Sequence, residues 1–339
     1  MLVEERILIA LFLCSHQPDE VLKELKPEWN EKIALPINEK LSLINHKFSI
    51  PDIFPWQNEL SEGIEKEEFT LSHLEQPDLF LRLRPGKENT VIQKLSKGGI
   101  AFKPITQSCI AISNSSKVDE LIVFDKEAVV QDYSSQRVGE FIDVVNKELV
   151  SRRLPKNRDK LSDGFRVWDC CAASGGKSIM VKDILGDIDL IVSDVRESIL
   201  INLGKRFVAA GIKEYESFVA DLSKPLNISL SSFNLIISDV PCTGSGTWSR
   251  TPEQLYYFNE MKKDEYAALQ KKIVATVITQ LEPGGYLLYI TCSVFKKENE
   301  DVVAFIKEKF HLQKVKMELI KGYDKKADTL FAALLKKPL

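Results

Sequence analysis

The sequence lacks any apolar segment long enough to cross a membrane. Its strongest apolar run near the start, residues 7–14 (ILIALFLC), has eight residues, whereas a membrane-spanning helix needs roughly 20. Glu4 and Glu5 precede this run, where a secretory signal would carry positive charge. We therefore interpret residues 7–14 as the buried face of a first helix, and we expect a cytoplasmic protein with no membrane partner.

Cysteine and histidine are scarce, with six cysteines and four histidines among 339 residues. No Cys-x-x-Cys pair occurs, so neither a disulfide framework nor a structural zinc site is expected, and no metal is predicted. The zinc-deaminase signature requires a cysteine three residues after Cys242, and Ser245 stands there. We interpret Cys14, Cys109 and Cys170 as buried small apolar residues.

The formal net charge is only −3, but acidic and basic residues are unevenly distributed. Residues 1–75 carry 15 Asp/Glu and 7 Lys/Arg, so the rest of the chain has a net charge of +5. Within it, segments 82–87 (RLRPGK) and 151–160 (SRRLPKNRDK) are basic. Such clusters neutralise nucleic-acid phosphates, although they also occur on ordinary solvated surfaces. In the second segment the candidate nucleic-acid contacts are Arg152, Arg153, Lys156 and Arg158.

Three regions differ in their patterns. Residues 1–75 combine helical periodicity (VLKELKPEWNEKI) with proline-marked irregular stretches, which predicts a mostly helical segment. In residues 76–133, short strand-like runs (LFLRLR, CIAIS and LIVF) flank a helical stretch (NTVIQKLSKGG), a pattern typical of a small α+β domain. Residues 134–339 form the third region. An amphipathic helix (SQRVGEFIDVVNKELVSRR) leads into it, with one apolar face formed by Val138, Phe141, Ile142, Val145 and Leu149.

After Gly164, strands and helices alternate strictly. Near-continuous apolar strands (FRVWDCC, DLIVSDV, SFVAD, FNLIISDV and GYLLYITC) are separated by helical stretches at 176–185, 198–210, 265–281 and 297–309. Such strands are typical of a parallel sheet covered on both faces. Two further strands, LQKVKMELI and DTLFAALLKK, predict a terminal antiparallel hairpin. The pattern therefore predicts the α/β fold of the class I, Rossmann-like methyltransferases, whose ligands lie at the carboxyl ends of the strands.

The segment WDCCAASGGKS, residues 168–178, joins the first core strand to a helix, and two cofactor classes compete for it. Its Gly-Lys-Ser end resembles a phosphate-binding loop, but the position of that loop's first glycine is Cys171. In the alternative, S-adenosylmethionine, Asp194 would accept both ribose hydroxyls and Asp221 would reach the adenine amino group. Because these acids follow successive strands in the right order, S-adenosylmethionine is favoured over a nucleoside triphosphate.

Two strands lead into thiols. The fourth strand ends in Asp239-Val240-Pro241-Cys242, and the fifth leads into Cys292. Methyltransferases that modify exocyclic amines have an aromatic residue where Cys242 stands. Carbon 5 of a pyrimidine is barely nucleophilic until a thiolate adds to carbon 6, and a nearby acid can bond the ring nitrogen as charge develops. A thiol beside Asp239 therefore suggests carbon 5 chemistry.

These segments together resemble the RNA cytosine-5 methyltransferases of the RsmB/Sun-domain type. The resemblance covers roughly residues 76–339 and rests on QDYSSQ, CCAASGGK, SDVPCTGSGTWSRTPE, EPGGYLLYITCS, KENEDVV and DTLFAALL. Two cysteines at two strand ends, in Asp-x-Pro-Cys and Thr-Cys-Ser, are highly specific to this family. Because DNA cytosine methyltransferases have only the Pro-Cys thiol, the resemblance favours RNA as the substrate.

The resemblance implies a role for each residue of the site. Cys292 would be the nucleophile that attacks carbon 6, Cys242 would assist product release, and Asp239 would contact the cytosine and the cofactor. The residues expected to bind S-adenosylmethionine are Cys171, Ala172, Ala173, Ser174, Gly175, Gly176, Lys177, Asp194, Asp221 and Asp239. The region 76–133 resembles the RNA-recognition-like module of this family, and together with 151–160 it would hold the RNA.

The chain departs from the family pattern in three places. Ser174 replaces the usual proline of the cofactor loop, Ile199 replaces an arginine five residues after Asp194, and residues 1–75 are shorter than the RsmB helical domain. We predict a monomeric S-adenosylmethionine-dependent RNA cytosine-5 methyltransferase that acts on ribosomal RNA, with transfer RNA as the alternative. A catalytically inactive RNA-binding or ribosome-assembly factor with the same fold is the rival from another class. Loss of either thiol would favour that rival.

Overall fold

The computed structural model describes residues 2–44, 50–152, 164–226 and 232–339, with only the backbone of residues 151 and 152. Its first helices are α1 (Val3–Cys14), α2 (Glu20–Leu25), α3 (Pro27–Asn30), α4 (Ile37–Ser42) and α5 (Lys66–Ser72). Ile9, Phe12 and Leu13 of α1 are buried, as the apolar run predicted, whereas Ile7 at the start of that run is exposed. The helical periodicity that continues to residue 33 is interrupted, because Pro27 disfavours a helical backbone at Lys26. No helix in the described part of the chain is long and apolar enough to cross a membrane.

A small antiparallel sheet follows. Its elements are β1 (Leu79–Leu83), α6 (Glu88–Lys97), β2 (Phe102–Pro104), β3 (Cys109–Ile112) and β4 (Ala128–Val130), and its strand order is β2-β3-β1-β4. The predicted α+β character is confirmed, but the strand predicted at 121–124 (LIVF) is wrong. The amides of Leu121 and Ile122 both bond the Val118 carbonyl, which makes a turn, and Ile122 is buried in the core beside α6.

Two helices lead into the large sheet, α7 (Tyr133–Arg137) and α8 (Gly139–Arg152). The single amphipathic helix predicted here is therefore divided at Val138. The Asp132 side chain accepts a hydrogen bond from the Ser134 amide and caps α7. The predicted apolar face is correct, because Val138, Phe141, Ile142 and Val145 are buried and Leu149 packs against them.

The remaining elements build a seven-stranded sheet. They are β5 (Arg166–Asp169), α9 (Gly176–Leu185), β6 (Asp189–Asp194), α10 (Glu197–Ala210), β7 (Glu216–Val219), β8 (Phe233–Asp239), α11 (Pro252–Tyr257), α12 (Met261–Ile278), β9 (Leu281–Thr291), α13 (Glu300–Phe310), β10 (Gln313–Ile320) and β11 (Leu330–Lys336). The strand order is β10-β11-β9-β8-β5-β6-β7. Strands β5 to β9 are parallel, and β10 and β11 form the predicted antiparallel hairpin on β9. The Rossmann-like methyltransferase fold is confirmed.

Helices cover both faces of this sheet. Neighbouring residues of each strand point to opposite faces, and because both sets are apolar, each face is buried against helices. Val167 and Leu235 join the apolar core beneath α8, α9 and α10, whereas Trp168 and Ile236 join the core beneath α12 and α13. The chain leaves β5 towards β6 on one side and returns on the other side as β8. Ligands of such sheets bind at this switch point, beyond the carboxyl ends of the strands.

Candidate active site

The loop between β5 and α9 lies at this switch point and bends sharply. Ala173 has φ +45° and Gly175 has φ +84°, both in the left-handed region. The Gly175 amide donates to the Ala172 carbonyl at 2.8 Å, and the Ala172 amide donates to the Ser193 carbonyl of β6 at 2.9 Å. A Cβ at Gly175 would lie 2.8 Å from Phe207 Cε1 of α10. The positive φ and the close approach of α10 therefore both require glycine here.

Two carboxylates stand after the next two strands, as the sequence predicted. Asp194 ends β6, is only 6% exposed, and accepts hydrogen bonds from the Ala173 amide and from Arg196 Nε, each at 3.1 Å. Arg196 was not identified from the sequence, although a basic residue two positions after Asp194 was the available signal. Asp221 follows β7, and a hydrogen bond from the Ser223 hydroxyl is the main cause that lowers its pKa to about 2. Asp221 is therefore an ionised acceptor at neutral pH.

A cavity of about 440 Å³ lies beside these carboxylates. The predicted cofactor residues that line it are Cys171, Ala173, Asp194, Asp221 and Asp239. Leu222, Leu269 and Ile273 supply an apolar wall. The volume falls within the roughly 300–1,000 Å³ of small-molecule sites. Carboxylates that accept from hydroxyl and amino groups, beside an apolar wall for a base, fit the adenosine part of S-adenosylmethionine.

A second cavity of about 310 Å³ shares Ala173, Asp239 and Cys292 with the first. The predicted loop residues that line only this second space are Ala172, Ser174, Gly176 and Lys177. A Cβ at Gly176 would meet no atom within 4 Å. Gly175 lines neither of the two cavities, because it packs on α10. The residues predicted for one cofactor site are thus divided between two adjoining spaces.

The two cysteines predicted to carry the chemistry lie within hydrogen-bonding distance of each other. Strands β8 and β9 are parallel neighbours with Asp239 opposite Ile290, so the segments that leave these strands lie side by side. The Sγ atoms of Cys242 and Cys292 are 3.2 Å apart. The hydrogen bond with Cys292 and burial raise the pKa of Cys242 well above the ordinary value of a thiol. Cys242 is therefore protonated at neutral pH.

Asp239, at the end of β8, is paired with a lysine from the first turn of α9. Lys177 Nζ donates to Asp239 Oδ2 at 2.9 Å and to Ser135 Oγ at 2.8 Å. The Lys177 side chain is 11% exposed and that of Asp239 is 31% exposed. Sequence reasoning assigned Lys177 to the cofactor and missed this pair. The ion pair therefore lies at the edge of the second cavity, which both side chains border.

A buried glutamate joins the two segments that carry the thiols. Glu298 accepts hydrogen bonds from the Thr243 amide at 2.9 Å, the Thr243 hydroxyl at 2.6 Å, Gln270 Nε2 at 3.0 Å, and the Ser293 hydroxyl. Thr243 follows Cys242 and Ser293 follows Cys292, so Glu298 holds the two thiols in register. The residue lies within the KENEDVV motif, but the sequence indicated no role for it. Burial raises the pKa of Glu298 despite these donors.

Two carboxylates that border the second cavity are joined by an arginine. Arg250 donates to Asp132 and to Asp328, each at 2.7 Å, and both aspartates line the cavity. Burial, and then the charge of Asp132, raises the pKa of Asp328 to about 7. This arrangement, which the sequence did not predict, ties α7 and the start of β11 to the loop after Cys242.

Other predicted residues have mixed outcomes. Cys109 and Cys170 are buried as expected. The interpretation was wrong for Cys14, which is exposed because it ends α1 beyond that helix's buried residues. The side chain of Arg152 and the residues Arg153, Lys156 and Arg158 lie outside the described residues. Within the described ranges, no group of three or more His, Cys, Asp or Glu side chains is arranged to hold a metal ion.

The basic segment 82–87 is largely engaged within the protein. Arg82 and Arg84 at the end of β1 pair with Asp183 of α9 at 2.6 and 2.5 Å. Both arginine side chains are less than one-sixth exposed, at 8% and 14%. They therefore join the small sheet to the large one, and of the three basic residues in the segment only Lys87 has no such role in the described structure.

The chain is similar to known proteins both in sequence and in fold. Residues 158–333, a little more than half of the chain, match the family described as 16S rRNA methyltransferase RsmB/F. The chain is 26% identical over 242 residues to the ribosomal RNA small subunit methyltransferase B of Pectobacterium atrosepticum. This alignment covers 68% of the chain and 52% of the relative, so the chain spans about half of that protein's length.

Two solved structures from Pyrococcus horikoshii share the fold. NSun6, solved with SFG, has a TM-score of 0.66 and 14% identity, and the match covers 85% of this chain and 96% of that one. A methyltransferase homologue has a TM-score of 0.64 and 19% identity, with coverage of 88% and 98%. At such identities these structures establish the fold alone.

Proposed function

The chain belongs to the 16S rRNA methyltransferase RsmB/F family, and on this premise we propose that it methylates carbon 5 of a cytosine in RNA. The observation that carries the proposal is the thiol pair. Cys242 and Cys292 are 3.2 Å apart, and Cys292 and Asp239 border both cavities. A nucleophile at the boundary of a cofactor space and a base space is the arrangement that covalent activation of a pyrimidine requires.

The first cavity would hold S-adenosylmethionine. Asp194 would accept from the ribose hydroxyls and Asp221 from the adenine amino group, while Leu222 and Ile273 contact the base. When bound, the cofactor supplies an electrophilic methyl group for carbon 5 of the target. The short side chains of Cys171 and Ala173 leave room for it beside the loop.

The second cavity would receive the target cytosine, extruded from the RNA. Lys177 and Asp239 border this space as an ion pair, and both can hydrogen-bond the polar edge of the base. A proton shared between Asp239 and the ring nitrogen would stabilise the charge that develops on the ring, and Lys177 would hold the Asp239 side chain in place. The geometry supports Cys292 as the sulfur that forms a bond to carbon 6, because it borders the base space and Cys242 does not.

Cys242 would act in the second half of the reaction. Its raised pKa keeps it protonated in the resting enzyme, within hydrogen-bonding distance of the Cys292 sulfur. After methylation, the carbon 5 proton must leave as the bond between Cys292 Sγ and carbon 6 breaks. The Cys242 proton would pass to the departing Cys292 sulfur, and the Cys242 thiolate so formed would accept the carbon 5 proton, so that both sulfurs end the reaction as thiols.

We further propose ribosomal RNA as the substrate, with transfer RNA as the alternative to be tested, and a monomeric enzyme in the cytoplasm. Residues 76–133 would form an RNA-binding domain between the mostly helical residues 1–75 and the methyltransferase domain at 134–339. Arg152, Arg153, Lys156 and Arg158 would contribute phosphate contacts.

The test compares the purified protein with Cys242→Ala and Cys292→Ala on 16S rRNA and on transfer RNA, with 5-methylcytosine measured by mass spectrometry. Cys292→Ala should be inactive and form no covalent RNA complex. Cys242→Ala should form a protein–RNA species that survives a denaturing gel, with turnover reduced by about 10²–10⁴-fold, the usual contribution of an acid–base group. This species should be absent from the double variant.

Cys14→Ala is the matched control, because it removes an exposed thiol far along the chain from the site. An adduct from Cys292→Ala and none from Cys242→Ala would reverse the two roles. Full activity from both variants would mean that the thiols have no chemical role. A wild-type protein that is inactive on both RNAs would favour the RNA-binding factor.

A further inference from the structure

An arginine on α10 connects the small sheet to the β5–α9 loop. Arg206 Nη1 donates to both the carbonyl and the hydroxyl oxygen of Ser174, each at 2.9 Å. Its Nε and Nη2 donate to the two carboxylate oxygens of Asp125 at 2.9 and 2.6 Å. The Arg206 side chain is 24% exposed and that of Asp125 is 12% exposed. The Arg206 guanidinium therefore bridges a loop of the small sheet, which contains Asp125, and a loop of the large sheet, which contains Ser174.

Asp125 is itself held in place. Its amide donates to the Ala128 carbonyl at 2.8 Å at the start of β4, and its carbonyl accepts from Arg84 Nη1 at 2.9 Å. Arg84 also pairs with Asp183 of α9 at 2.5 Å. A continuous chain of hydrogen bonds therefore runs from Asp183 of α9 through Arg84 and Asp125 to Arg206 of α10. From Arg206 it continues to the loop that precedes α9. Arg206 takes its orientation from groups that are fixed independently of the loop.

The loop needs such support because its backbone is bent unfavourably. Ser174 lies between Ala173 and Gly175, which both have positive φ, and an alanine adopts this conformation only when the surroundings impose it. Asp194 holds the Ala173 amide on one side, at 3.1 Å. Ser174 is exposed, and Arg206 supplies the side-chain hydrogen bonds that hold it.

We propose that Arg206 is a positioning residue that holds the loop in its cofactor-binding shape, with Asp125 of the small-sheet region as its anchor. The proposal rests on the proposed function, since it concerns the same cofactor cavity. Arg206 borders the second cavity and not the first, so it acts on the cofactor through the loop. Without it, the binding-competent loop becomes a fraction of the ensemble, and the apparent dissociation constant rises by the inverse of that fraction.

The test measures S-adenosylmethionine binding by calorimetry in the absence of RNA, and hydrogen exchange of amides 172–176 in the ligand-free protein. Arg206→Ala should raise the dissociation constant about tenfold, the factor expected for one charge-assisted hydrogen bond, and should accelerate exchange in the loop. Arg206→Lys keeps the charge beside Asp125 but lacks the planar guanidinium that reaches both Asp125 and Ser174. Its affinity for S-adenosylmethionine should therefore lie between those of the wild-type protein and Arg206→Ala. Lys94→Ala is the matched control, because it breaks the Lys94–Glu127 pair of the small-sheet region without touching the loop, and it should bind normally.

A folded Arg206→Ala variant with wild-type affinity and loop exchange would overturn the proposal and make the bridge a contact between the sheets only. Weaker binding of RNA with unchanged binding of S-adenosylmethionine would also overturn it. Should Arg206→Ala fail to fold, Asp125→Asn, which keeps the shape and removes the charge, provides the same measurement with a smaller expected change. Absence of binding by the wild-type protein would instead refute the proposed function.

Discussion

Glu298 offers the most direct test of how the two thiol segments are held together. In Glu298→Ala, four donors lose their acceptor in a fully buried site. The hydroxyls of Thr243 and Ser293 still contact each other at 3.2 Å, and Gln270 Nε2 keeps the Pro241 carbonyl at 3.0 Å. The Thr243 amide is the donor left without an alternative among these groups.

The magnitude follows from this count. An unsatisfied buried donor costs about 1–3 kcal/mol, and the lost hydrogen bonds and the space left by the side chain add to it. We expect the free energy of unfolding to fall by about 3–4 kcal/mol in Glu298→Ala. Glu298→Gln keeps the shape and one acceptor oxygen but adds an amide group among donors, so we expect a loss of about 1–2 kcal/mol. Because the loops would no longer hold the thiols in register, adduct formation should slow in both variants.

Urea unfolding and the denaturing-gel assay measure the two effects separately. Glu300→Ala is the matched control. Glu300 lies two residues further along the chain and accepts from the Ser61 hydroxyl at 2.9 Å and the Glu62 amide at 3.1 Å, at a less buried position. This variant should lose less than about 1 kcal/mol. A Glu298→Ala protein as stable as Glu300→Ala, with normal adduct formation, would refute the role of Glu298.

Three further predictions concern the charged groups of the site. Burial raises the pKa of Asp169 to about 7; the contribution of Asp169 to stability should therefore be fully present below about pH 4 and be lost as the pH rises towards 7, by up to about 4 kcal/mol. Asp169→Asn should flatten that part of the urea-unfolding profile, and a variant profile parallel to wild type would contradict this. Asp194→Ala should weaken S-adenosylmethionine binding by about 1.5–3 kcal/mol in calorimetry, and unchanged affinity would exclude the ribose contact. Neutralising Arg152, Arg153 and Lys156 together should weaken binding to every RNA and reduce its salt dependence, whereas an unchanged salt slope would mark them as ordinary surface residues.

Hydrophobic periodicity along the chain was sufficient to predict the large sheet and the positions at which its strands end. Apolar strands that alternate with amphipathic helices reflect burial on both sheet faces, and that pattern is local. Asp194, Asp239 and Cys292 could therefore be assigned to one edge of the sheet from the order of residues alone. The same reasoning failed at residues 121–124, because a short apolar run is equally compatible with a buried turn.

The two glycines of the β5–α9 loop have different roles, which the sequence does not distinguish. The sequence assigned both Gly175 and Gly176 to the loop expected to bind S-adenosylmethionine. Only the structure distinguishes the two residues, since Gly175 faces Phe207 of α10 and Gly176 faces open space. The sequence alone thus determined which loop carries the two glycines, while the packing of α10 decided that Gly175 contacts the protein interior and Gly176 borders the cavity.

The partners of the site's charged groups were decided by tertiary structure alone. Lys177 meets Asp239, Glu298 meets Thr243, and Arg206 meets Ser174 and Asp125, all across large separations in the chain. A sequence pattern reports whether a position is buried and which element it occupies, because those depend on its neighbours. It does not report which of many carboxylates faces which cation, because that depends on how whole elements pack. The types of residue in the site, and the strand ends at which they lie, could therefore be predicted from the sequence. The hydrogen bonds and ion pairs that orient these residues are determined only by the packing of the sheets and helices.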